Sequence, residues 1–432
     1  MPKYLVESQQ DFYKNFEKLL NKRDSKDKKI DEVVDNIIAK IIKNSDDALI
    51  TLTRKLDNFK VKNIEELRVT KKEITDSFNI IDKKVIKALK NASKRIKSYH
   101  KRQLPKNDFY KDKIGVNLGS RWTPIDSVGL YVPGGSASYP SSVLMNAIPA
   151  IVAGVKRIVM VCPAPGGNIN PIIFAVAKIL GIDEIYKIGG AQAIATLAFG
   201  TKSICKVDKI CGPGNAYVAS AKKKVFGSVG IDMIAGPSEV LVVADKNNNP
   251  SHIAIDLLSQ AEHDILAQSI LITNSEIFAN EVFKNIELEL RNIERKKIAS
   301  KSWKDFGAII VIKDIYKAHE FINKIAPEHL EISVRRPKVL LRNISNAGAI
   351  FIGKYTPEAI GDYIAGPNHV LPTDKTAKFS SGLNVLDYMK RTSIVECNKN
   401  SIKKIGPDAV LLANEEGLTA HANSILKRLD EI

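Results

Sequence analysis

The sequence predicts an α/β protein built as two halves, each a parallel sheet flanked by helices. Three observations carry that prediction. From Asp126 onward, short β-branched runs alternate with small-residue helical stretches. Four of those runs end directly in glycine-bearing loops, and from about Val229 a second series of apolar runs, separated by long helical patterns, repeats the arrangement. The chain has 432 residues, enough for about two or three compact units that bury full cores without staples. With 44% hydrophobic and 26% charged residues it has a globular composition, which excludes a largely disordered chain.

Residues 1 to about 122 read as mainly helical, with no glycine before Gly115. There Phe78, Ile81, Val85, Leu89 and Ile96 mark a buried stripe, and Lys83, Lys84, Lys87, Lys90, Lys94 and Lys97 the solvated face opposite it. Strands follow at 127–132, 157–162, 184–188 and 207–211. Each runs into a loop: Pro133-Gly134-Gly135, Pro163-Ala164-Pro165-Gly166-Gly167, Gly189-Gly190-Ala191-Gln192 and Gly212-Pro213-Gly214-Asn215. Ligands of open α/β sheets bind outside the carboxyl ends of strands, where glycine admits close backbone approach and helix N-termini favour anions. Four such loops in a row point to a nucleotide site, although the strict G-x-G-x-x-G spacing of an ordinary Rossmann fingerprint is absent. The second series has strands at 240–244, 269–273, 308–312 and 347–352, and the last fifty residues return to helix.

The N-terminal residues lack a secretory pattern, and the most apolar stretch, 143–155, is broken by Asn146 and Pro149, so neither export nor a membrane span is expected. Cys162, Cys205, Cys211 and Cys397 form no C-x-x-C pair and fit reduced thiols, which makes the cytoplasm the expected compartment. The net charge of +17 invites a nucleic-acid partner. Its excess is lysine spread over solvated helical faces, which disfavours that reading.

Chemistry-bearing residues concentrate in the second half. Gln260 and His263 lie three apart on a predicted helix and project from one face, suiting two ligands of one metal or simply a polar helix face. Pro327-Glu328-His329 sets an acid and an imidazole side by side just before an apolar strand, serving two different positions because neighbours diverge in a strand. Histidine is the commonest proton shuttle, and a carboxyl in a water-poor cleft can act as a base. Asp362 and His369 add a carboxylate and an imidazole on a turn-rich loop, where plain turn chemistry is the alternative.

Seven blocks, in this order, resemble the histidinol dehydrogenase family. They are Tyr131-Val132-Pro133-Gly134-Gly135, Gly190-Ala191-Gln192-Ala193-Ile194, Gly212-Pro213-Gly214-Asn215, the run from Ile231 to Glu239, Gln260-Ala261-Glu262-His263, Ala326-Pro327-Glu328-His329-Leu330 and Gly366-Pro367-Asn368-His369. The resemblance spans roughly residues 115 to 425. It implies zinc- and NAD-dependent oxidation of L-histidinol through L-histidinal to L-histidine, the last step of histidine biosynthesis. By this match Tyr131, Gln192 and Asn215 fall at NAD positions, and Gln260, His263, Asp362 and His421 at zinc positions. Ser238, His369 and Glu416 contact substrate together with the zinc residues and His329, while Glu328 and His329 form the acid–base pair.

The same resemblance implies two incomplete Rossmann-like domains. The first is discontinuous, 29–130 with 238–383, and the second is inserted at 131–237. They are joined by a helical segment at 1–28 and by a C-terminal segment, 384–432, that reaches the partner's site in a homodimer. A base with pKa near 7 suits His329, and Glu328 suits activation of the water that hydrates the aldehyde. Two other readings compete: a related zinc and NAD dehydrogenase for another hydroxymethyl compound, and a non-enzymatic nucleic-acid binder.

Overall fold

A computed structural model describes residues 2–21, 28–134, 139–234 and 236–431. It is α/β, as the sequence predicts. One six-stranded parallel sheet runs Lys3–Val6, Ala308–Val311, Gln268–Thr273, Glu239–Ala244, His329–Ser333, Ala349–Ile352 in spatial order. A five-stranded parallel sheet runs Glu184–Tyr186, Arg157–Val161, Ser127–Tyr131, Lys209–Cys211, Gly230–Ile231. A third sheet is antiparallel and joins Met389–Glu396, Asn117–Pro124 and Asp108–Lys111.

The near-continuous apolar character of the central strands has a direct cause, since a parallel sheet covered on both faces buries every side chain. Along Glu239–Ala244, Leu241 and Val243 join one core with Ile270, Ile310 and Leu330, while Val240 and Val242 join another with Leu271 and Ile309. Among described residues no helix is long and apolar enough to cross a membrane.

Three expectations for the ends of the chain are corrected. The N-terminal residues open with an edge strand, Lys3–Val6, and the helix Phe12–Leu20 then buries Phe12 and Phe16 edge-on to Phe321 at 5.6 and 5.2 Å. The stretch that reads as helical to about 122 ends in two strands, and the C-terminal fifty residues contain a third, Met389–Glu396. Asp108–Lys111 and Met389–Glu396 are largely exposed and carry no apolar alternation, so their pattern gives no strand signal. Val34, Ile41 and Leu49 of the helix Lys28–Leu56, and Leu89 and Ile96 of Lys83–Lys101, bury against the five-stranded sheet and its helices.

Candidate active site

His329 opens the strand His329–Ser333, and its side chain is 3% exposed. The preceding turn is set by Ala326, which closes the helix Ala318–Ile325 in the left-handed region (φ 48°). Pairing with the neighbouring strand holds the backbone on either side of Glu328, because the Gly348 and Ala349 N–H groups donate to the carbonyls of Pro327 and Glu328 at 2.9 Å. A Cβ at Gly348 would fall 2.5 Å from the Glu328 carbonyl oxygen, so this close approach requires glycine. The His329 ring stacks on Phe351 at 5.9 Å, and Phe351 is backed in turn by Gly361, where a Cβ would meet the ring at 2.3 Å.

The two imidazole nitrogens have different jobs. Nδ1 lies 3.1 Å from the Glu239 carbonyl oxygen, which can only accept, so Nδ1 carries a proton. Nε2 faces Asp362 Oδ1 at 3.3 Å. Three carboxyl groups surround the ring, with Glu328 Oε2 3.7 Å and Glu358 Oε2 3.9 Å from Nδ1. Burial alone would lower the His329 pKa, but Glu328, Asp362 and Glu358 together raise it well above its ordinary value. Burial pushes the carboxyl groups of Glu328 and Glu358 up to about 8. The backbone N–H of Glu239 donates to Glu328 Oε2 at 2.8 Å.

Asp362 sits in a single π-helical turn, Gly361–Ala365, an irregularity that re-aims side chains. Burial raises its carboxyl, yet the hydrogen bond from His329 and the charges of His329, His369 and His263 outweigh that effect and hold it below the usual range. His263 and His369 are both pushed down by burial. The helix bearing Gln260 ends at Ala261, so His263 lies in the turn beyond it, its N–H donating to the Gln260 carbonyl at 3.1 Å. That corrects the expected shared helix face. The Gln260 amide fits one orientation, its nitrogen donating to Glu358 Oε1 at 3.1 Å and its oxygen accepting from the Glu239 N–H at 2.9 Å.

Gln260, His263 and Asp362 offer an amide oxygen, an imidazole and a carboxylate, a donor chemistry that zinc accepts. They fit a metal in kind and in neighbourhood, but among the described residues no group of three or more His, Cys, Asp and Glu side chains is arranged to hold one. His421 is exposed on the helix Thr419–Asp430 and Glu416 is exposed at the end of Lys399–Glu415; neither joins the cluster within this chain. Ser238 lies just before the strand Glu239–Ala244, its carbonyl accepting from the Gln268 N–H at 2.9 Å.

The cluster borders the five-stranded half. His369 Nε2 is 3.5 Å from Ser142 Oγ on the helix Pro140–Ala153, and Asn368 Nδ2 donates to the Met145 carbonyl at 2.6 Å. At the carboxyl edge of that sheet, Ser127–Tyr131 and Lys209–Cys211 are neighbours whose chain connections leave in opposite directions, the crevice where such sheets bind ligands. Tyr131 and Asn215 stand on its two sides. The Tyr131 hydroxyl accepts from the Gly190 N–H at 3.0 Å, and Asn215 caps the helix Ala216–Val225 through its side-chain oxygen. Gly212 has φ 118°, and a Cβ there would meet the Tyr131 carbonyl oxygen at 2.1 Å. Glycine lets these two loops touch. Gly135 and Ala235 of the family-like blocks lie outside the described residues.

Sequence reasoning gave no role to Glu239, Glu358 or Phe351. A usable signal was present: Glu239 heads an otherwise apolar strand run, where a carboxyl must be buried and therefore partnered.

A family model described as histidinol dehydrogenase matches residues 20–429. The histidinol dehydrogenase of Brucella abortus is 54% identical over 426 residues, 99% of each chain, and that of Rhodospirillum rubrum is 54% identical over 431 residues, 100% of this chain and 99% of the other. A crystal structure of histidinol dehydrogenase from Elizabethkingia anophelis superposes with a TM-score of 0.94 at 36% identity, over 100% of this chain and 98% of that one.

Proposed function

The chain belongs to the histidinol dehydrogenase family, and from that premise we propose that it oxidises L-histidinol through the aldehyde to L-histidine with two NAD used in succession. One observation supports the reading above all: His329, with Nδ1 committed to the Glu239 carbonyl, presents Nε2 in a cluster that touches the nucleotide-type half through His369 and Ser142. Removing hydride from an alcohol requires taking the hydroxyl proton, and Nε2 is the atom placed to take it. For that step Nε2 must be bare while Nδ1 keeps the proton it donates to the Glu239 carbonyl, so the contact of Nε2 with Asp362 opens and any proton on Nε2 passes to solvent before the alcohol is oxidised.

Glu328, pushed up to about 8, is the stronger base when ionised and serves the water that hydrates the aldehyde before the second oxidation. NAD in the crevice between Tyr131, Gln192 and Asn215 supplies the hydride acceptor. Gln260, His263 and Asp362, with His421 from a second copy, would hold zinc, which would supply a positive centre for orienting the nitrogen-bearing substrate. Ser238, His369 and Glu416 complete the substrate contacts in this reading. The cytoplasm is the compartment proposed.

Purified protein should form two NADH per histidinol consumed, with histidine as product. His329→Asn should lower kcat by about 10²–10⁴-fold, the range for a lost general base, and a loss under about tenfold would remove His329 from that role. Chelation should abolish histidinol oxidation while leaving the circular dichroism spectrum intact, since a core this size folds without a structural metal. Full turnover by protein shown by elemental analysis to be metal-free would end the zinc assignment.

A further inference from the structure

One half-buried carboxylate beside the glycine loops has no part in that mechanism. Asp57 follows the helix Lys28–Leu56 and reaches beneath the loops that leave three neighbouring strands. Its charge bears on Tyr131 and Cys162, and its carboxylate accepts hydrogen bonds from the Gly189 N–H and from Gln192 Nε2, the latter at 3.3 Å. The segment is pinned there. The Asp57 carbonyl accepts from the Gly166 N–H at 3.1 Å, and the Phe59 ring fills the place a Gly167 side chain would take, 2.6 Å from its Cβ position.

Gln192 is 1% exposed, and its Oε1 is buried with no hydrogen-bond partner among the described residues. A Cβ at Gly190 would fall 2.7 Å from that oxygen, so it lies over the bare backbone of the glycine turn, the side open to close approach. A buried acceptor without a donor is unfavourable unless a ligand supplies one. Asp57 decides which end of the amide is left over, because a carboxylate accepts and so takes the NH2 end.

We propose that Asp57 is a positioning residue for the dinucleotide: it fixes Gln192 so that Oε1 accepts a hydrogen bond from an N–H or O–H of the nicotinamide nucleotide, a carboxamide or a ribose hydroxyl. The inference rests on the NAD reading above and adds a residue to it. Among the described residues the Gln192 oxygen has no donor; a bound nucleotide would supply one, and Asp57 makes that pairing available without reorienting the amide.

The test compares Asp57→Leu, Gln192→Met, the double variant and the milder Asp57→Asn, titrating each with NADH by fluorescence and measuring KM for NAD and for histidinol. Asp57→Leu and Gln192→Met should each weaken NADH binding about tenfold, the worth of one oriented hydrogen bond to a buried group. The double variant should bind no more weakly than Gln192→Met, because Asp57 acts through Gln192. Asp57→Asn, which keeps the shape but lets the amide reverse, should fall between wild type and Asp57→Leu. KM for NAD should rise while KM for histidinol moves less than about threefold, a split that general loosening of the fold would not give. Retained NADH affinity in both folded Asp57 variants, or losses that multiply in the double variant, would overturn the proposal. A wild-type chain that binds no NADH would remove the NAD reading and this inference together.

Discussion

At Glu358 the cost of the cluster can be read as a pH dependence. The side chain is 2% exposed, accepts from Ser259 Oγ at 2.8 Å, and its second oxygen has no hydrogen bond among the described residues. Burial pushes its pKa from 4.5 up to about 8. The folded chain therefore binds a proton that the unfolded chain has released throughout that window, and stability falls as pH rises from about 4.5 to about 8. Glu358→Gln removes that slope. Its melting temperature relative to wild type should become steadily more favourable between pH 5 and pH 8, followed by thermal unfolding in matched buffers; a constant difference would mean that Glu358 does not carry the buried proton. Glu328 should differ from it in kinetics. Glu328→Gln should impair oxidation of added histidinal more than the first hydride transfer from histidinol, and equal impairment would remove its special tie to hydration.

The loop Gly212-Pro213-Gly214-Asn215 shows how a functional turn is held from behind. Lys222, on the helix after it, donates to the Gly212 carbonyl at 3.0 Å and pairs with Asp232, whose carboxylate accepts from the Gly212 N–H at 2.8 Å. Both partners are almost wholly buried, with side chains 3% and 1% exposed. Lys222→Met leaves Asp232 charged and unpaired, which costs roughly 3–5 kcal/mol, and it frees one side of the loop. Urea unfolding should report that loss, and NADH affinity should fall with it; a variant as stable as wild type would show that the pair does not hold the loop.

The elements most legible in the sequence are strands such as Ser127–Tyr131 and Gln268–Thr273, whose apolar runs and following turns are local signals. Lys3–Val6 and Met389–Glu396 are illegible because their partners, Ala308–Val311 and Asn117–Pro124, lie hundreds of residues away and no apolar period marks them. The site divides the same way. Glu328, His329 and Asp362 declare themselves by residue type and neighbours. Glu239 and Asp57 act through a backbone carbonyl and a relayed hydrogen bond, which only the fold brings into register.

Across the whole molecule, the two parallel sheets use opposite ends. The glycine loops leave the carboxyl ends of the five-stranded sheet, whereas Glu239 and His329 stand at the amino ends of adjacent strands of the six-stranded one. The hydrogen bonds of Asn368 to Met145 and of Gly236 to Thr373 tie the segments around the two ends together. In the proposed reading this chain supplies the base, the carboxyl groups around it and the nucleotide crevice, yet His421 and Glu416 are exposed on a C-terminal helix pair with exposed Leu411, Leu412 and Leu418. The proposed completion of the site by a second copy would cover both the exposed ligand-type residues and the exposed leucines.

Mixing inactive variants tests that completion. His421→Ala and His329→Ala should each be inactive when refolded alone. Refolded together in equal amounts, about half the dimers are mixed, and each mixed dimer has one site that joins an intact body to an intact tail while its other site collects both lesions. About a quarter of wild-type activity should therefore return. If no activity returns although mass spectrometry shows heterodimers, His421 serves its own chain's site or none, and the exposed C-terminal face needs another explanation.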